Sequence, residues 1–576
     1  MSSAIIFYPS SFLPLALVEL SLLACFLAIS RLVYYRMKQL PLRKIPGPPS
    51  TSFLTGNLLQ LFDPSALPFY DKLSKTYGGV IKINAMLGDT QLLISDPKAC
   101  TSILLKEQDT FEESPWFIEN GRHAFGPCLF STTGAHHRRQ RKQLNPVFSI
   151  KNMRALIPIF QNVTHQLQDS MRTMLDKGAQ EIDIVEWLGR LALELVAQGG
   201  LGHTFDSLDP TAHEHEFAGA IKEYIPTMSA LYVWRELLPL VSYLPPKLLR
   251  FVATSLPWPT LHRLIDVLDT MHANAQKIFD KKMAILEKGS EAAESQVGEG
   301  KDIISTLLKA NMAAPEDEKM TDDEIVAQMN ILLLAGTDTT SSALCRVLHL
   351  LSQHQDVQDR LRKEIAAGQS RTDGAELDYD GLVGLPYLDA ICRETLRLFP
   401  PVPVITRTSG YRPIFLTVKA DCGSHCRCRS DICIPLLKPI TTIGGDSLAS
   451  LYIPGNTDVF VNILGLNRDT SIWGPDAAEW KPERWLQPLP ESVEGARIPG
   501  IYANTLTFLG GGRACIGFKF SQLEMKVALS QLIQAFRFSL PKAEVTWRFG
   551  GILTPSIAGS SLIRPTMPLK VESIRP

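Results

Sequence analysis

The feature that most constrains this chain of 576 residues is one short segment, Phe508-Leu509-Gly510-Gly511-Gly512-Arg513-Ala514-Cys515-Ile516-Gly517. Consecutive glycines allow backbone turns that a side chain would forbid, and they let a flat ligand approach closely. A helix is predicted directly afterwards, over residues 518–536, and its first N–H groups would lower the pKa of the Cys515 thiol. Such a sulfur can serve as a soft axial ligand of a haem iron. The alternative is a structural cysteine buried in a glycine turn.

This segment resembles the haem-binding signature of the cytochrome P450 superfamily, F-x-x-G-x-R-x-C-x-G. Phe508, Gly511, Arg513, Cys515 and Gly517 match every defined position of that signature. The resemblance extends from the proline-rich residues 45–49 to near the C-terminus. It implies a mainly α-helical body with small β-sheets in the cytochrome P450 fold. It also implies haem b bound between two long helices, with Cys515 as the iron ligand.

A second motif, Glu394-Thr395-Leu396-Arg397, places a carboxylate and a guanidinium on one face of a predicted helix, where they can pair. Most such pairs are solvated and contribute less than about 1 kcal/mol. Here the neighbouring side chains are apolar, and two prolines end the helix. The motif is similar to the family's E-x-x-R helix, and Arg484 matches the third member of the family's buried Glu-Arg-Arg network. The expected benefit is a fixed geometry behind the haem.

A third motif, Ala335-Gly336-Thr337-Asp338-Thr339-Thr340, lies within an apolar helix predicted over residues 321–352. Threonine hydroxyls can bond to carbonyls one turn back and distort a helix locally. The motif resembles the family's A-G-x-D-T-T segment, which crosses the distal face of the haem. By that resemblance Asp338 and Thr339 deliver protons during oxygen activation, Thr339 through its hydroxyl and ordered water. The alternative is a helix kink with satisfied hydroxyls.

Two buried haem propionates require hydrogen-bonded positive partners. His137 and Arg141 resemble the family's W/H-x-x-x-R helix, and Arg407 and Arg513 complete the expected set. The remaining cations of the same predicted helix are interpreted as a solvated face, which could instead meet an acidic electron donor. These cations are Arg138, Arg139 and Lys142.

Residues 12–30 are apolar or small apart from Glu19, and as a helix they could cross a bilayer core about 30 Å thick. Basic residues follow this stretch and none precedes it, so the positive-inside rule predicts an uncleaved anchor with the rest of the chain in the cytosol. A cleaved signal peptide is the alternative. Residues 45–49 then form a stiff elbow. The predicted organisation is an anchor and basic linker over 1–45 and one catalytic domain over 46–576. The formal net charge of -1 excludes a basic field for nucleic acid.

Residues 411–430 depart from the family, which has a short β excursion in this region. The stretch contains Cys422, Cys426 and Cys428, but with Cys433 their spacing matches no common zinc pattern. We interpret it as a translated intron or a lineage insertion that forms an exposed loop. If this insertion disturbs the pocket, the protein would be a catalytically impaired haem protein.

The other predicted elements are two short strands and three amphipathic helices. The strands cover residues 80–83 and 91–94, and the helices cover residues 150–176, 181–197 and 261–288. Residues 290–300 are polar and are predicted to form a surface loop.

The resemblance implies a monooxygenase that inserts one oxygen atom into a lipophilic small molecule. Electrons would come from NADPH through a membrane-bound NADPH-cytochrome P450 reductase at the endoplasmic reticulum. The chain looks similar to filamentous-fungal members, many of which modify terpenoids or other secondary metabolites. Its pocket is expected to be mainly apolar, lined by side chains that include Phe117, Phe125, Phe130, Val404 and Ile405. The alternatives are an isomerase or dehydratase of the same fold that needs no external electrons, and a non-enzymatic haem protein.

Overall fold

The computed structural model describes residues 33–212, 215–231, 244–286, 301–371, 374–409, 431–560 and 564–574, together with isolated positions between 19 and 30 and at 234 and 238. Most of the predicted anchor, the extra stretch 411–430 and the predicted loop 290–300 lie outside the described residues.

Helices make up most of the described chain. They are α1 Leu58–Leu61, α2 Leu67–Tyr77, α3 Pro97–Thr101, α4 Pro115–Phe125, α5 Gly134–Leu144, α6 Ile150–Asp176, α7 Ile184–Val196, α8 Glu216–Ala230, α9 Pro246–Ser255, α10 Pro259–Leu286, α11 Ile303–Ala313, α12 Asp322–Gln353, α13 Gln355–Ser370, α14 Tyr379–Val383, α15 Pro386–Leu398, α16 Ile463–Asn467, α17 Thr470–Trp473, α18 Glu491–Ala496 and α19 Phe518–Ala535.

The strands form four small sheets. In chain order they are β1 Val80–Asn84, β2 Thr90–Ile94, β3 Phe111–Glu112, β4 Glu181–Asp183, β5 Val404–Ser409, β6 Ile432–Thr441, β7 Ser447–Ile453, β8 Thr457–Asn462, β9 Phe536–Ser539, β10 Val545–Phe549, β11 Leu553–Ile557 and β12 Pro568–Ser573. The largest sheet has the order β1-β2-β8-β5-β3, in which only β2 and β8 run parallel. A second sheet has the order β4-β12-β9, and β6-β7 and β10-β11 are hairpins.

The mainly helical architecture with small sheets confirms the predicted fold class of the described body. Apart from the helix predicted from residue 181, the long helices begin and end within two residues of their predicted bounds, and the two predicted strands form β1 and β2, which pair with each other. The prediction of helix from residue 181 is wrong. Residues 181–183 form β4, which pairs with β12 far along the chain. The helix begins only after Asp183, whose carboxylate caps it by accepting from the Val185 N–H.

Helix α12 runs through the centre of the helical body and is mostly buried. Among the described residues it is the single helix long and apolar enough to cross a membrane, and its burial identifies it as a core helix. Gly336 lets α7 pack against it, because a Cβ at this position would lie 2.6 Å from a methyl carbon of Val196. The helix is continuous through residues 335–340, so the polar motif does not break it.

The predicted elbow is bound to the edge of the first sheet. The Lys82 N–H donates to the Pro46 carbonyl at 2.9 Å, and a Cβ at Gly47 would lie 2.1 Å from the Lys82 carbonyl oxygen. The basic linker just before the elbow is attached to the sheet as well. Arg36 pairs with Asp89 at 2.6 Å, on the turn between β1 and β2.

Candidate active site

The glycine turn before Cys515 fits tightly against neighbouring backbone. A Cβ at Gly510 would lie 1.6 Å from the Pro499 carbonyl oxygen, and a Cβ at Gly511 would lie 2.1 Å from the Leu104 carbonyl oxygen. Gly511 also has a φ of +75°, in the left-handed region that favours glycine. The turn is closed by the Cys515 N–H, which donates to the Phe508 carbonyl at 2.9 Å. The glycines therefore fix where the cysteine is presented.

The other two residues of the signature contribute differently. The ring of Phe508 is buried and packs against Tyr502 and Phe518, with ring centroids 5.5 and 6.1 Å away. Gly517 comes immediately before α19 and has an ordinary negative φ, and a Cβ there would meet nothing within 4 Å. Packing within the described protein thus explains Phe508 but does not by itself require glycine at position 517.

The Cys515 side chain is accessible to solvent, although protein atoms largely surround its thiol. Burial raises the pKa of its thiol, and the Gly517 N–H and the charge of Arg141 lower it only in part. The predicted donor at the helix start is present, since the Gly517 N–H lowers this pKa, but desolvation of the folded thiol outweighs it. A side chain that solvent can reach, but that surrounding protein atoms largely desolvate, faces a recess in the protein.

Four residues predicted to hold propionates meet around this recess. Arg141 donates to the Ala514 carbonyl at 2.6 Å, directly beside Cys515. Arg513 donates to the carbonyls of residues 129 and 132, and Arg407 pairs with Glu113 at 2.5 Å. Burial, with the charges of Arg513 and Arg141, lowers the pKa of His137 to about 3. His137 thus lies among the three arginines as a neutral imidazole in the folded chain, and its charge beside a propionate stays a prediction.

The rest of the basic helix α5 agrees only in part with the prediction of a solvated face. Arg138 and Lys142 are exposed and pair with surface carboxylates. Arg139 instead bonds to Glu324 at 2.6 Å, a carboxylate that is only 3% exposed. Glu324 also belongs to the capping box at the start of α12. Arg139 thus ties α5 to the beginning of the long central helix.

Asp338 and Thr339 share one part of α12. The Thr339 hydroxyl donates to the Ala335 carbonyl at 2.7 Å, which is the predicted bond to the preceding turn. Both side chains are half-buried, yet burial raises the pKa of Asp338 to about 7, with Lys222 lowering it slightly. Cys515 likewise combines solvent exposure with desolvation of its ionisable group. A carboxyl whose pKa is about 7 can both hold and release a proton at physiological pH.

The predicted Glu-Arg-Arg network is present, with Glu394 and Arg397 fully buried and the Arg484 side chain 7% exposed. Glu394 accepts from Arg397 at 2.8 and 2.7 Å, and the Arg484 Nε lies 3.4 Å from the same carboxylate. Arg397 also donates to two carbonyls of the segment that precedes the cysteine loop, and Arg484 pairs with Asp476 at 3.0 Å. Every charge in the network has a partner, so the network joins α15 to that segment in one arrangement.

Two carboxylates near the site carry no sequence signal and were not predicted. One is Glu113, the partner of Arg407. The other is Glu524 on α19, which is fully buried and adjoins Thr340 of α12. Burial raises the pKa of Glu524 well above its ordinary value, with Thr340 offsetting only part of the effect. Each is brought to the site by contacts between distant segments, which local patterns cannot reveal.

The residues around the recess fit a haem. The donor set combines one soft sulfur with three guanidiniums and an imidazole, which suits iron and two propionates respectively. The glycine turn leaves the backbone free of side chains where a flat ligand would approach. Among the described residues no cluster of His, Cys, Asp and Glu would hold a metal ion directly.

Comparison with known proteins matches most of the chain to one family. Residues 46–410 and 435–557 match the family model described as Cytochrome P450. Residues 411–434, which include the extra stretch 411–430, fall between the two matched segments.

Three similar proteins come from fungi. Cytochrome P450 monooxygenase 91 of Postia placenta is 44% identical over 536 residues, which cover 93% of this chain and 94% of that protein. A ganoderic acid synthetase of Ganoderma lucidum is 39% identical over 548 residues, which cover 94% and 96%. A cytochrome P450 monooxygenase of Hericium erinaceus is 34% identical over 566 residues, which cover 97% of each chain.

Proposed function

The chain belongs to the cytochrome P450 family of monooxygenases, which use a haem iron cofactor, and from that premise we propose that it oxidises a lipophilic small molecule with dioxygen and NADPH-derived electrons. The observation that carries the proposal is the recess at Cys515. Its thiol is exposed and desolvated, and Arg141 is bonded to the adjacent carbonyl. Arg407 and Arg513 complete a cationic rim.

We assign the residues of the recess as follows. Cys515 would hold the haem iron through its sulfur, and Arg141, Arg407, Arg513 and His137 would hold the propionates. When bound, the haem iron supplies the oxygen-activating chemistry. Asp338 holds a proton near neutral pH and would pass it to the adjacent Thr339 hydroxyl. The buried network of Glu394, Arg397 and Arg484 keeps the cysteine loop in place.

The proposed electron donor is an NADPH-cytochrome P450 reductase. Support comes from α5, whose side chains Arg138 and Lys142 are 63% and 68% exposed. This helix also carries Arg141, which adjoins the cysteine loop. Exposed cations close to the iron ligand suit an acidic electron-donor surface, because complementary charge favours a productive encounter.

We also propose a single-pass anchor in the endoplasmic reticulum membrane, with the catalytic domain facing the cytosol. The apolar residues 12–30 and the basic residues after them support it. The described positions Leu22, Phe26 and Ile29 are each more than 60% exposed and helical. Helix α9 likewise exposes Leu248, Phe251 and Val252 and buries none of its residues. Such apolar surface is stable when lipid covers it.

The proposed substrate is a terpenoid or another lipophilic secondary metabolite. Aromatic rings line the region before α5, where Phe117 lies 5.8 Å from Phe130 and Phe125 lies 5.4 Å from Tyr224, measured between ring centroids. An apolar pocket favours a lipophilic ligand. The name of one relative, a ganoderic acid synthetase, supports a role in secondary metabolism.

The test begins with the carbon monoxide difference spectrum of the reduced protein. Thiolate ligation predicts the red-shifted Soret band in the wild type and its loss in Cys515→Ser. Cys433→Ser is the matched control, because this described cysteine is also exposed but lies on β6 away from the site. A normal band in Cys515→Ser would overturn the ligand assignment. NADPH-dependent product formation with added reductase then separates a monooxygenase from an isomerase that needs no electrons.

A further inference from the structure

One arginine of the cationic rim already has a carboxylate partner inside the protein. Arg407 and Glu113 form an ion pair at 2.5 Å, and their side chains are only 4% and 12% exposed. Arg407 also donates to the Thr406 carbonyl at 2.9 Å. An ion pair shielded from water to this degree is weakly screened and is expected to persist in solution.

Glu113 acts on more than one member of the rim. Burial lowers the pKa of Arg513, and the charge of Glu113 is the largest influence that raises it again. Glu112 contributes in the same direction but less. In the part of the chain that the structure describes, Glu113 is the one carboxylate that forms an ion pair with Arg141, Arg407 or Arg513.

The position of Glu113 is fixed by the sheet. Strand β3 pairs with β5 so that Phe111 lies opposite Ser409 and Glu112 lies opposite Thr408. Glu113 is the next residue after β3, and Arg407 is the next residue along the partner strand. The two side chains are therefore brought together by backbone pairing and not by the choice of a surface rotamer.

A charge count shows what this carboxylate does once haem is bound. The arginines of the rim, Arg141, Arg407 and Arg513, supply three positive charges. A ferric porphyrin core adds one positive charge, while two propionates and the Cys515 thiolate add three negative charges. Without Glu113 this set would carry one net positive charge. With Glu113 it is neutral in the ferric state.

We propose that Glu113 is a positioning residue of the haem site, an internal counter-ion that orients Arg407 and favours the ferric over the ferrous state. The inference rests on the proposed haem-thiolate function. A negative charge near the iron disfavours the addition of an electron, and the effect is strong where the dielectric is low. Removing the charge should therefore make the haem easier to reduce.

The test compares Glu113→Gln and Glu113→Asp in the haem-loaded protein by spectroelectrochemical titration of the reduction potential. Glu113→Gln keeps the shape and removes the charge, so its potential should become more positive. Glu113→Asp keeps the charge and should stay close to the wild type. Glu119→Gln is the control, because it removes a carboxylate from the neighbouring α4 that pairs with Arg122 and does not contact the rim.

Each outcome decides the question. A positive shift in Glu113→Gln alone, or a failure to retain haem in Glu113→Gln alone, supports a role for the charge. The proposal is overturned if Glu113→Gln and Glu113→Asp behave alike, whether both keep the wild-type reduction potential and haem content or both are impaired equally. Loss of the shifted carbon monoxide band in the wild type would instead refute the underlying haem-thiolate assignment, so the two failures are distinguishable.

Discussion

Two fully buried glutamates on neighbouring helices differ in how the fold treats their charge. Glu394 on α15 accepts hydrogen bonds from Arg397, Arg484 and Trp485. Neither carboxylate oxygen of Glu524 on α19 has a hydrogen-bond partner of normal geometry among the described residues. Burial raises the pKa of Glu524 well above its ordinary value, with only Thr340 acting against this.

The difference shows that burial alone does not decide what a carboxylate contributes. A buried charge is tolerated when donors surround it, and a buried carboxyl without donors is held as the neutral acid. Asp338 lies between these extremes, because burial raises its pKa only to about 7. The fold thus provides a charged structural carboxylate, one with a pKa of about 7 and a neutral one within the same helical core.

The largest effect is expected from removing the charge of the satisfied glutamate. Glu394→Gln leaves the buried Arg397 and Arg484 without their shared partner, which should cost about 3–5 kcal/mol in the free energy of unfolding. Denaturant unfolding of the haem-loaded protein measures it. The exposed Glu491→Gln serves as the control. A loss below about 1 kcal/mol for Glu394→Gln would contradict the view that this network is fixed by full pairing.

A smaller effect is expected at the intermediate carboxylate. Asp338→Asn removes the proton carrier and should lower product formation on the order of 100-fold. In the wild type the rate should fall as pH rises through about 7, because Asp338 then loses its proton, and this inflection should be absent from the variant. The rate is measured from about pH 6 to about pH 8, roughly one unit either side of that pKa.

Thr337→Val is the matched control for that experiment. Thr337 is buried on the same turn, and its hydroxyl bonds only to the Leu333 carbonyl at 2.7 Å among the contacts described. Its removal should leave the pH profile intact. A wild-type profile without an inflection near pH 7 would argue against proton transfer by Asp338.

The smallest effect is expected at the neutral glutamate and appears as a pH dependence of stability. The folded state keeps the Glu524 proton, while the unfolded chain loses it above the ordinary pKa of 4.5. The folded state then binds more protons, so this residue makes stability fall as pH rises above 4.5, by up to about 1.4 kcal/mol per pH unit. Glu524→Gln should flatten that fall. Thermal unfolding against pH measures it, with the exposed Glu572→Gln as control, and an unchanged slope would contradict the assignment.

Local sequence patterns predicted the elements whose contacts are themselves local. The pairing of Glu394 with Arg397 was predictable because residues three positions apart on a helix lie within one turn of each other, on the same face. The bounds of α6 and α12 followed from apolar periodicity. Resemblance to a family added Arg484, Arg407 and Cys515, which no spacing argument alone could have joined.

What was missed depends on contacts between distant segments. Glu113 and Arg407 are 294 residues apart in the chain, so their ion pair leaves no local pattern. Strand β4 was taken for the start of a helix because its partner β12 lies near the C-terminus. The helix-start N–H that lowers the pKa of Cys515 is visible in the sequence, whereas the desolvation that raises this pKa comes from distant segments and is not.

The attachment of residues 36–49 to the first sheet has a consequence for how the protein would sit at a bilayer. The β1-β2 hairpin contacts Arg36, Pro46 and Gly47, so this part of the chain is a rigid connection and not a flexible linker. A membrane anchor joined to this rigid segment would fix the tilt of the whole catalytic body relative to the bilayer. The side of the molecule that meets lipid would then be set by the geometry of one hairpin, whatever the length of the apolar segment that precedes it.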